Sequence, residues 1–430
     1  MKKITNRAVS LLLIAALTVA GLVAYTLRYI DHGREWAMAF EKANAGETGM
    51  LVDRSGLVLA HYDSSGNYYA EEASVRTACY AVTGDYWGRS GTGALTRFES
   101  GMHGYSLITG TTHGGSTELR LTVDAGLCRT AYEALNGRSG AVLLMNYRTG
   151  ELLCMVSGPA VDPLDSAEPP DGAFLNKGLS SSFTPGSVFK LVTAAAAIES
   201  LPDIYERRFT CTGETEIAGV TVKCSGVHGT QTFEEALANS CNVAFAEITI
   251  AVGQERMLAH ARTYGFLDGH ELDGIPSAAG SYPSDFVGDP ELAWSGIGQS
   301  TDLVNPYALL RYVAAVANGG VLAEPHLLAG RRGPDTRLVE KDTADRLAAM
   351  MHYNAVAHYN AEIAFPGLEI AAKTGTAELG DGSSHAWFAG FLADDAHPYA
   401  FVVLVERGGG GQVAAGPVAN AVLQDAVKLT

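Results

Sequence analysis

Three short patterns in this chain carry side chains able to do acyl chemistry. Ser187-Val188-Phe189-Lys190 places a hydroxyl three residues before an amine. On a helix, positions three apart are neighbours, so Ser187 and Lys190 stand side by side. A serine hydroxyl is a poor nucleophile until a base takes its proton, and a lysine of depressed pKa can be that base. Pro185-Gly186 precede the pair at the start of an apolar helix, whose first N–H groups can aim at a developing oxyanion. No other Ser-x-x-Lys occurs in the chain. Further on, Ser240-Cys241-Asn242 offers a second hydroxyl to relay a proton and an amide to hold a substrate amide. Lys373-Thr374-Gly375-Thr376 closes an apolar strand. Its Lys supplies positive charge, its Thr hydroxyls suit a carboxylate, and its Gly lets a peptide backbone approach an edge strand. Ser65-Gly66-Asn67 and Arg148-Thr149-Gly150 repeat fragments of these patterns but read as turns. Each pattern alone is weak. Their order, on helix, loop and strand, points to covalent acyl transfer through Ser187.

The elements that must position these groups follow from hydrophobic periodicity. Residues 51–60 alternate apolar runs around a turn, as a β-hairpin does, and Gly-rich stretches at 84–93 and 110–115 read as loops. Residues 119–123 form a short alternating strand, 125–136 a helix, and 140–146 and 151–157 two strands joined by a turn. Helical patterns dominate the middle, at 187–199, 232–239, 243–252 and 305–318. Thr232 and Glu235 are spaced as a capping box, and Pro306 suits a first helical turn. Strands return at 370–376, 386–393 and 399–406, and a C-terminal helix starts at Pro417. A sheet of chain-distant strands with a helical cluster between them is an α+β domain.

The N-terminus bounds the location. Lys2, Lys3 and Arg7 precede an apolar run over 8–27, long enough to cross a hydrocarbon core. The positive flank stays inside, so a retained anchor over residues 8–30, favoured over a cleaved signal peptide for its length, would leave the remainder outside the cytoplasm. A formal net charge of −17 argues against a nucleic-acid partner, because phosphate binding needs clustered Lys and Arg. Six cysteines fit export loosely. Cys211 and Cys224 flank a turn-rich stretch and suit either a disulfide-bridged hairpin or two separate thiols. With no Cys-x-x-Cys and no His-rich spacing, neither a metal nor a cofactor is expected.

With the three motifs in this order, the chain resembles a class B penicillin-binding protein over nearly its whole length. The segment Asp53 to Ala60 is similar to the family's Asp-Arg-Asn-Gly-x-x-Leu-Ala pedestal motif, and residues 93–104 to its Gly-Leu-Glu-containing segment. Leu121-Thr122-Val123-Asp124, Gly140-Ala141-Val142 and Thr149-Gly150-Glu151 resemble the opening of the transpeptidase domain. Pro185-Gly186-Ser187-Val188-Phe189-Lys190, His228-Gly229 ahead of Ser240, and Lys373 to Glu378 followed by His385-Ala386-Trp387-Phe388 complete the match. Ser300 stands where the family often has Gly, Asn305-Pro306 where Thr-Pro is common, and the pedestal is short.

The resemblance implies a penicillin-binding, serine β-lactamase-like transpeptidase domain over 119–430. It implies a small β-rich pedestal or dimerisation-like domain over 31–118, and a cytoplasmic stub with a single transmembrane helix over 1–30. Ser187 would attack the penultimate D-Ala of a peptidoglycan stem peptide and release D-Ala. Lys190 would be the base, helped by Ser240. Asn242 would hold the substrate amide, and Lys373, Thr374, Gly375 and Thr376 the peptide and its carboxylate. The N–H groups of Ser187 and Thr376 would bind the oxyanion. The implied partners are nascent stem peptides, β-lactams as covalent inhibitors, and a SEDS-family glycan polymerase. A D,D-carboxypeptidase, a β-lactamase, or a non-catalytic β-lactam sensor or scaffold would share the fold. No Glu-x-x-x-Asn-like deacylation element stands between Asn242 and Lys373, so a long-lived acyl-enzyme is expected.

Overall fold

The computed structural model describes residues 2–43, 49–63, 65–102, 105–106, 110–111, 117–285 and 288–429. Gly104 and most of the Gly-rich 110–115 stretch lie outside the described residues. The chain divides into two compact units. The smaller comprises residues 1–51, 60–68 and 98–119. It holds helix α1 (Lys2–Ala43), within which Arg7–Ile30 is long and apolar enough to cross a membrane. The larger comprises residues 52–59, 69–97 and 120–430, so the stretch expected as one pedestal, 31–118, is shared between the units.

Residues 69–97 join the larger unit for a packing reason. Helix α2 (Ala73–Thr83) buries Val75, Ala78, Cys79 and Val82, and it packs on helix α3 (Ala125–Leu135). Outside that seam, Arg76 makes a bidentate pair with Asp162, at 2.7 Å for each nitrogen. The fork geometry favours Arg over Lys here. Asp53 organises the turn of its own motif. Its Oδ1 accepts from the Ser55 N–H at 2.8 Å, the Ser55 hydroxyl at 2.7 Å and the Leu57 N–H at 2.8 Å. Its Oδ2 accepts from the Ala125 N–H at 3.1 Å, at the start of α3. Asp53→Ala removes the acceptor of all four donors and leaves the buried Ala125 N–H unpaired, and is expected to destabilise the fold by ~1–3 kcal/mol. Chemical denaturation of the purified variant checks this.

The larger unit is built on a five-stranded antiparallel sheet. Its strands are β1 (Gly140–Asn146), β2 (Leu152–Gly158), β3 (Ile370–Glu378), β4 (Ser384–Leu392) and β5 (Tyr399–Val405). Their order is β3-β4-β5-β1-β2. The chain-distant pairing falls between β5 and β1, where Tyr399 stands opposite Asn146 and Val405 opposite Gly140. All residues of β2 and β5 are buried. Side chains alternate between the faces of a strand, so both faces of the sheet are covered, and this explains the unbroken apolar runs.

Between β2 and β3 lie the helices α4 (Lys190–Ser200), α5 (Asn242–Val252), α6 (Pro306–Ala317) and α7 (Lys341–His358), of which α4 begins at Lys190 and α5 at Asn242. The chain ends on α8 (Gly416–Ala426). Helix α6 packs on β5 and α7 on β3. The expected capping box forms before the short helix Phe233–Ala238, with Thr232 and Glu235 exchanging bonds of 3.1 and 2.7 Å. Asn305 caps α6, its Oδ1 accepting from the N–H groups of Tyr307 and Ala308. Its amide nitrogen also donates to the carbonyls of Leu179 and Ser181. One side chain thus starts α6 and ties down the segment leading to Ser187.

Candidate active site

Ser187 stands in a 3-10 turn, Gly186–Phe189, and α4 begins only at Lys190. Positions i and i+3 eclipse in a 3-10 turn, so the pair is brought closer than a regular α-turn would bring it. Lys190 Nζ lies 2.9 Å from Ser187 Oγ. Ser187 is partly exposed, whereas Lys190 is fully buried. Ser187 is therefore open to a ligand while its neighbour is shielded from water.

Lys190 Nζ has three more oxygen neighbours: the Ser240 carbonyl at 2.8 Å, Asn242 Oδ1 at 2.7 Å and Ser240 Oγ at 3.2 Å. The Asn242 amide is oriented by donation from its Nδ2 to the Lys223 carbonyl at 2.9 Å. Two of the neighbours, a carbonyl and an amide oxygen, can only accept. They match the two N–H bonds of a neutral amine and leave its lone pair for a hydroxyl proton. Burial, with the positive charge of Lys373 nearby, holds the Lys190 pKa well below the ordinary lysine value. Geometry and electrostatics both favour an amine that can take a proton from Ser187.

Ser240 links the two lysines. Its Oγ accepts from Lys373 Nζ at 3.0 Å, and Lys373 also donates to the Thr374 carbonyl at 3.0 Å. Burial pushes the Lys373 pKa down to about 7. Ser240 is held at φ 51°, in the left-handed region that non-glycine residues rarely adopt. Such a conformation persists where surrounding contacts over-determine it, and here it aims the hydroxyl between two amines.

Lys373 to Thr376 lie within β3 rather than at its end, and β3 is an edge strand paired only with β4. Alternation sets Lys373 and Gly375 on one face and Thr374 and Thr376 on the other. Thr374 and Thr376 both keep some exposure. Gly375 is expected from sequence to admit a substrate backbone. The structure adds a nearer reason: a Cβ there would lie 2.8 Å from the Pro185 carbonyl oxygen and 3.1 Å from Val188 Cγ1. The missing side chain lets the turn that carries Ser187 sit against the strand. Gly298 does the same from the other side. It has φ +76°, and a Cβ there would lie 2.2 Å from the Gly186 carbonyl oxygen.

Thus the structure brings together Ser187, Lys190, Ser240, Asn242 and Lys373, with Thr374, Gly375 and Thr376 along the adjoining strand. Sequence reasoning missed a brace behind that strand. Tyr359, buried at the end of α7, accepts at its hydroxyl from the Thr374 N–H at 2.9 Å and from Asn354 Nδ2 at 2.8 Å. Asn354 Nδ2 also donates to the Ala372 carbonyl at 2.6 Å. With two donors on its oxygen, Tyr359 gives its own proton to Thr374 Oγ1, 3.0 Å away. The Thr374 proton is then free for an incoming acceptor. Tyr359→Phe removes this chain of bonds and is expected to lower acylation by about tenfold, with a stability loss of ~1–2 kcal/mol. Stopped-flow labelling and a denaturant melt read the two effects separately. The only sequence signal for the brace is a polar Asn inside an otherwise core-facing stretch of helix. Cys211 and Cys224, left open above, are separate thiols.

Comparison with known proteins places this geometry. The penicillin binding protein transpeptidase domain matches residues 140–424. Peptidoglycan D,D-transpeptidase PbpA of Mycobacterium tuberculosis is 30% identical over 333 residues, covering 67% of this chain and 67% of that protein. Stage V sporulation protein D of Bacillus subtilis is 29% identical over 348 residues, covering 72% of this chain and 53% of that protein. Among solved structures, the ceftriaxone acyl-enzyme complex of penicillin-binding protein A from M. tuberculosis has the same fold. Its TM-score is 0.77 at 24% identity, over 90% of this chain and 99% of that one.

Proposed function

The chain belongs to the penicillin-binding protein transpeptidase family, and we propose that it is a peptidoglycan D,D-transpeptidase working through an acyl-enzyme on Ser187. The carrying observation is the approach of Ser187 Oγ to a buried lysine amine whose N–H bonds are already matched by acceptors.

Lys190 takes the Ser187 proton as Oγ attacks the carbonyl carbon of the penultimate D-Ala. The N–H groups of Ser187 and Thr376 hold the oxyanion. The C–N bond breaks, and the terminal D-Ala leaves as an amine carrying the proton relayed through Lys190 and Ser240. An amine from a neighbouring stem peptide then attacks the ester, forming the crosslink and returning the proton to Ser187. Asn242 holds the substrate amide. Lys373 supplies positive charge, and the hydroxyls of Thr374 and Thr376 receive the peptide carboxylate. A β-lactam follows the first half of this path, and its ring-opened acyl group stays on Ser187.

Residues 8–30 anchor the chain as a single membrane pass, with the catalytic domain on the extracytoplasmic side. In this reading the anchor, with the part of 31–118 outside the larger unit, meets a SEDS-family glycan polymerase. The apolar length of Arg7–Ile30 supports the anchor.

The test uses the purified chain with pentapeptide-bearing glycan strands and mass spectrometry. Loss of D-Ala with formation of crosslinked dimers is expected. D-Ala loss without crosslinks would make it a carboxypeptidase, and fast turnover of penicillin a β-lactamase.

A further inference from the structure

Next to Ser240, four metal-binding side chains converge from separate elements. Cys211 ends the strand Phe209–Cys211, and Cys224 follows the strand Val220–Lys223. His228 precedes the strand Gly229–Gln231, and Cys241 caps α5. One ligand atom from each of the four lies within 4.8 Å of all the others. Cys224 Sγ is 3.9 Å from Cys241 Sγ and 3.5 Å from His228 Nδ1. A tetrahedral zinc with Zn–S of about 2.3 Å and Zn–N of about 2.0 Å implies S···S edges of ~3.8 Å and S···N edges of ~3.5 Å. These two edges fit that tetrahedron, and the S···S distance is far from the ~2.05 Å of a disulfide.

The surroundings fit as well. The Asn242 N–H points at Cys224 Sγ at 3.2 Å and the Ala244 N–H at Cys241 Sγ at 3.4 Å. Backbone N–H groups aimed at sulfur stabilise thiolates and orient them, as outer-shell donors do in metal centres. Cys211 and Cys241 are buried, and Cys224 and His228 partly so. The strands involved are short and belong to two-stranded ladders outside the main sheet. The Ser240 turn is tied on one side by its bonds to Lys190 and Lys373, and the cluster stands on its other side, at Cys241.

We propose that Cys211, Cys224, His228 and Cys241 bind one structural zinc ion, which pins the Ser240-Cys241-Asn242 turn against the nucleophile. Thiolate and imidazole donors select zinc over calcium or magnesium, which take oxygen ligands. Four protein donors fill a tetrahedron and leave no position for water, so the ion is structural and takes no part in bond making. Its binding displaces thiol protons and is favoured as pH rises. One neighbour of the ion, Cys241, lies between the two residues that meet Lys190. The metal therefore acts as a positioning device for the catalytic lysine's partners.

The test uses the full chain in detergent, carrying a tag without histidines and purified without chelator. Elemental analysis is expected to find about one zinc per chain, and X-ray absorption at the zinc edge three sulfurs and one nitrogen. Cys211→Ser and His228→Ala are expected to lose the zinc, whereas His228→Cys, which keeps four donors, retains it. That contrast separates ligand loss from misfolding. The two zinc-free variants should also label with fluorescent penicillin about 10–100-fold more slowly at unchanged helix content. Wild-type chain that holds no zinc after incubation with zinc salt overturns the proposal. So does zinc retained in both ligand-loss variants, or a Cys224–Cys241 disulfide in the freshly isolated chain. Zinc content is read independently of acylation, so a failure of the transpeptidase reading leaves it standing and the reverse is also true.

Discussion

Ser187→Ala is expected to abolish covalent labelling by a fluorescent penicillin, a loss of at least about 10⁴-fold in acylation rate. The size follows from chemistry. Ser187 Oγ is the hydroxyl on the partly exposed turn beside Lys190, and the hydroxyls of Ser240, Thr374 and Thr376 are already engaged with Lys373, Tyr359 and the Gly411 N–H. The variant should fold. Ser187 lies at a partly exposed turn, and Lys190 Nζ keeps the Ser240 carbonyl, Ser240 Oγ and Asn242 Oδ1 as partners. In-gel fluorescence after a long incubation, with circular dichroism alongside, is the measurement. A persistent adduct on the alanine variant would move the nucleophile elsewhere.

Lys190→Met is the second large effect, an expected fall of about 10²–10⁴-fold in acylation with labelling still detectable at long times. Unlike Ser187→Ala, it removes the base and keeps the nucleophile. It also leaves the Ser240 carbonyl and Asn242 Oδ1 without a donor, at ~1–3 kcal/mol for each buried acceptor, offset in part by no longer burying an amine. The pH profile of the native chain carries the sign. Lys190 must be neutral to accept a proton, and its pKa is held well below the ordinary lysine value, so acylation rises with pH as Lys190 deprotonates. Lys373 must be charged to attract a carboxylate, and burial pushes its pKa down to about 7, so acylation falls as pH passes that value. The two lysines thus contribute opposed limbs, an ascending one from Lys190 and a descending one near pH 7 from Lys373. Lys373→Met removes a like charge, raises the Lys190 pKa and moves the ascending limb to higher pH. Rates of penicillin labelling from about pH 5 to about pH 9 check both limbs.

Much of this was legible because the signals are local. A hydroxyl three residues from a lysine at a helix start, and an apolar run ending in Lys-Thr-Gly, state their chemistry over a few residues. The strands at Gly140–Asn146 and Tyr399–Val405 are unbroken hydrophobic runs because both faces of the sheet are covered. The order of the three motifs pointed to the transpeptidase domain that matches residues 140–424. A span long and apolar enough for a membrane was likewise readable from composition alone.

Other features depend on long-range closure, which no local pattern encodes. Lys190 and Lys373 share Ser240 Oγ only because the turn at Ser240 and the edge strand β3 pack against the same helix start. That Gly375 also makes room for the Pro185–Val188 turn emerged only from the packing. Residues 69–97 joined the larger unit because α2 found its apolar partner in α3. Spacing along the chain argued against a metal, yet two ladders and a helix cap bring Cys211, Cys224, His228 and Cys241 to one point. The amino-acid sequence by itself determined which groups are available and the elements that bear them, since propensity and periodicity act over one or two turns. The tertiary structure alone decided which of those groups meet, because distances between chain-remote side chains are set by how whole elements pack.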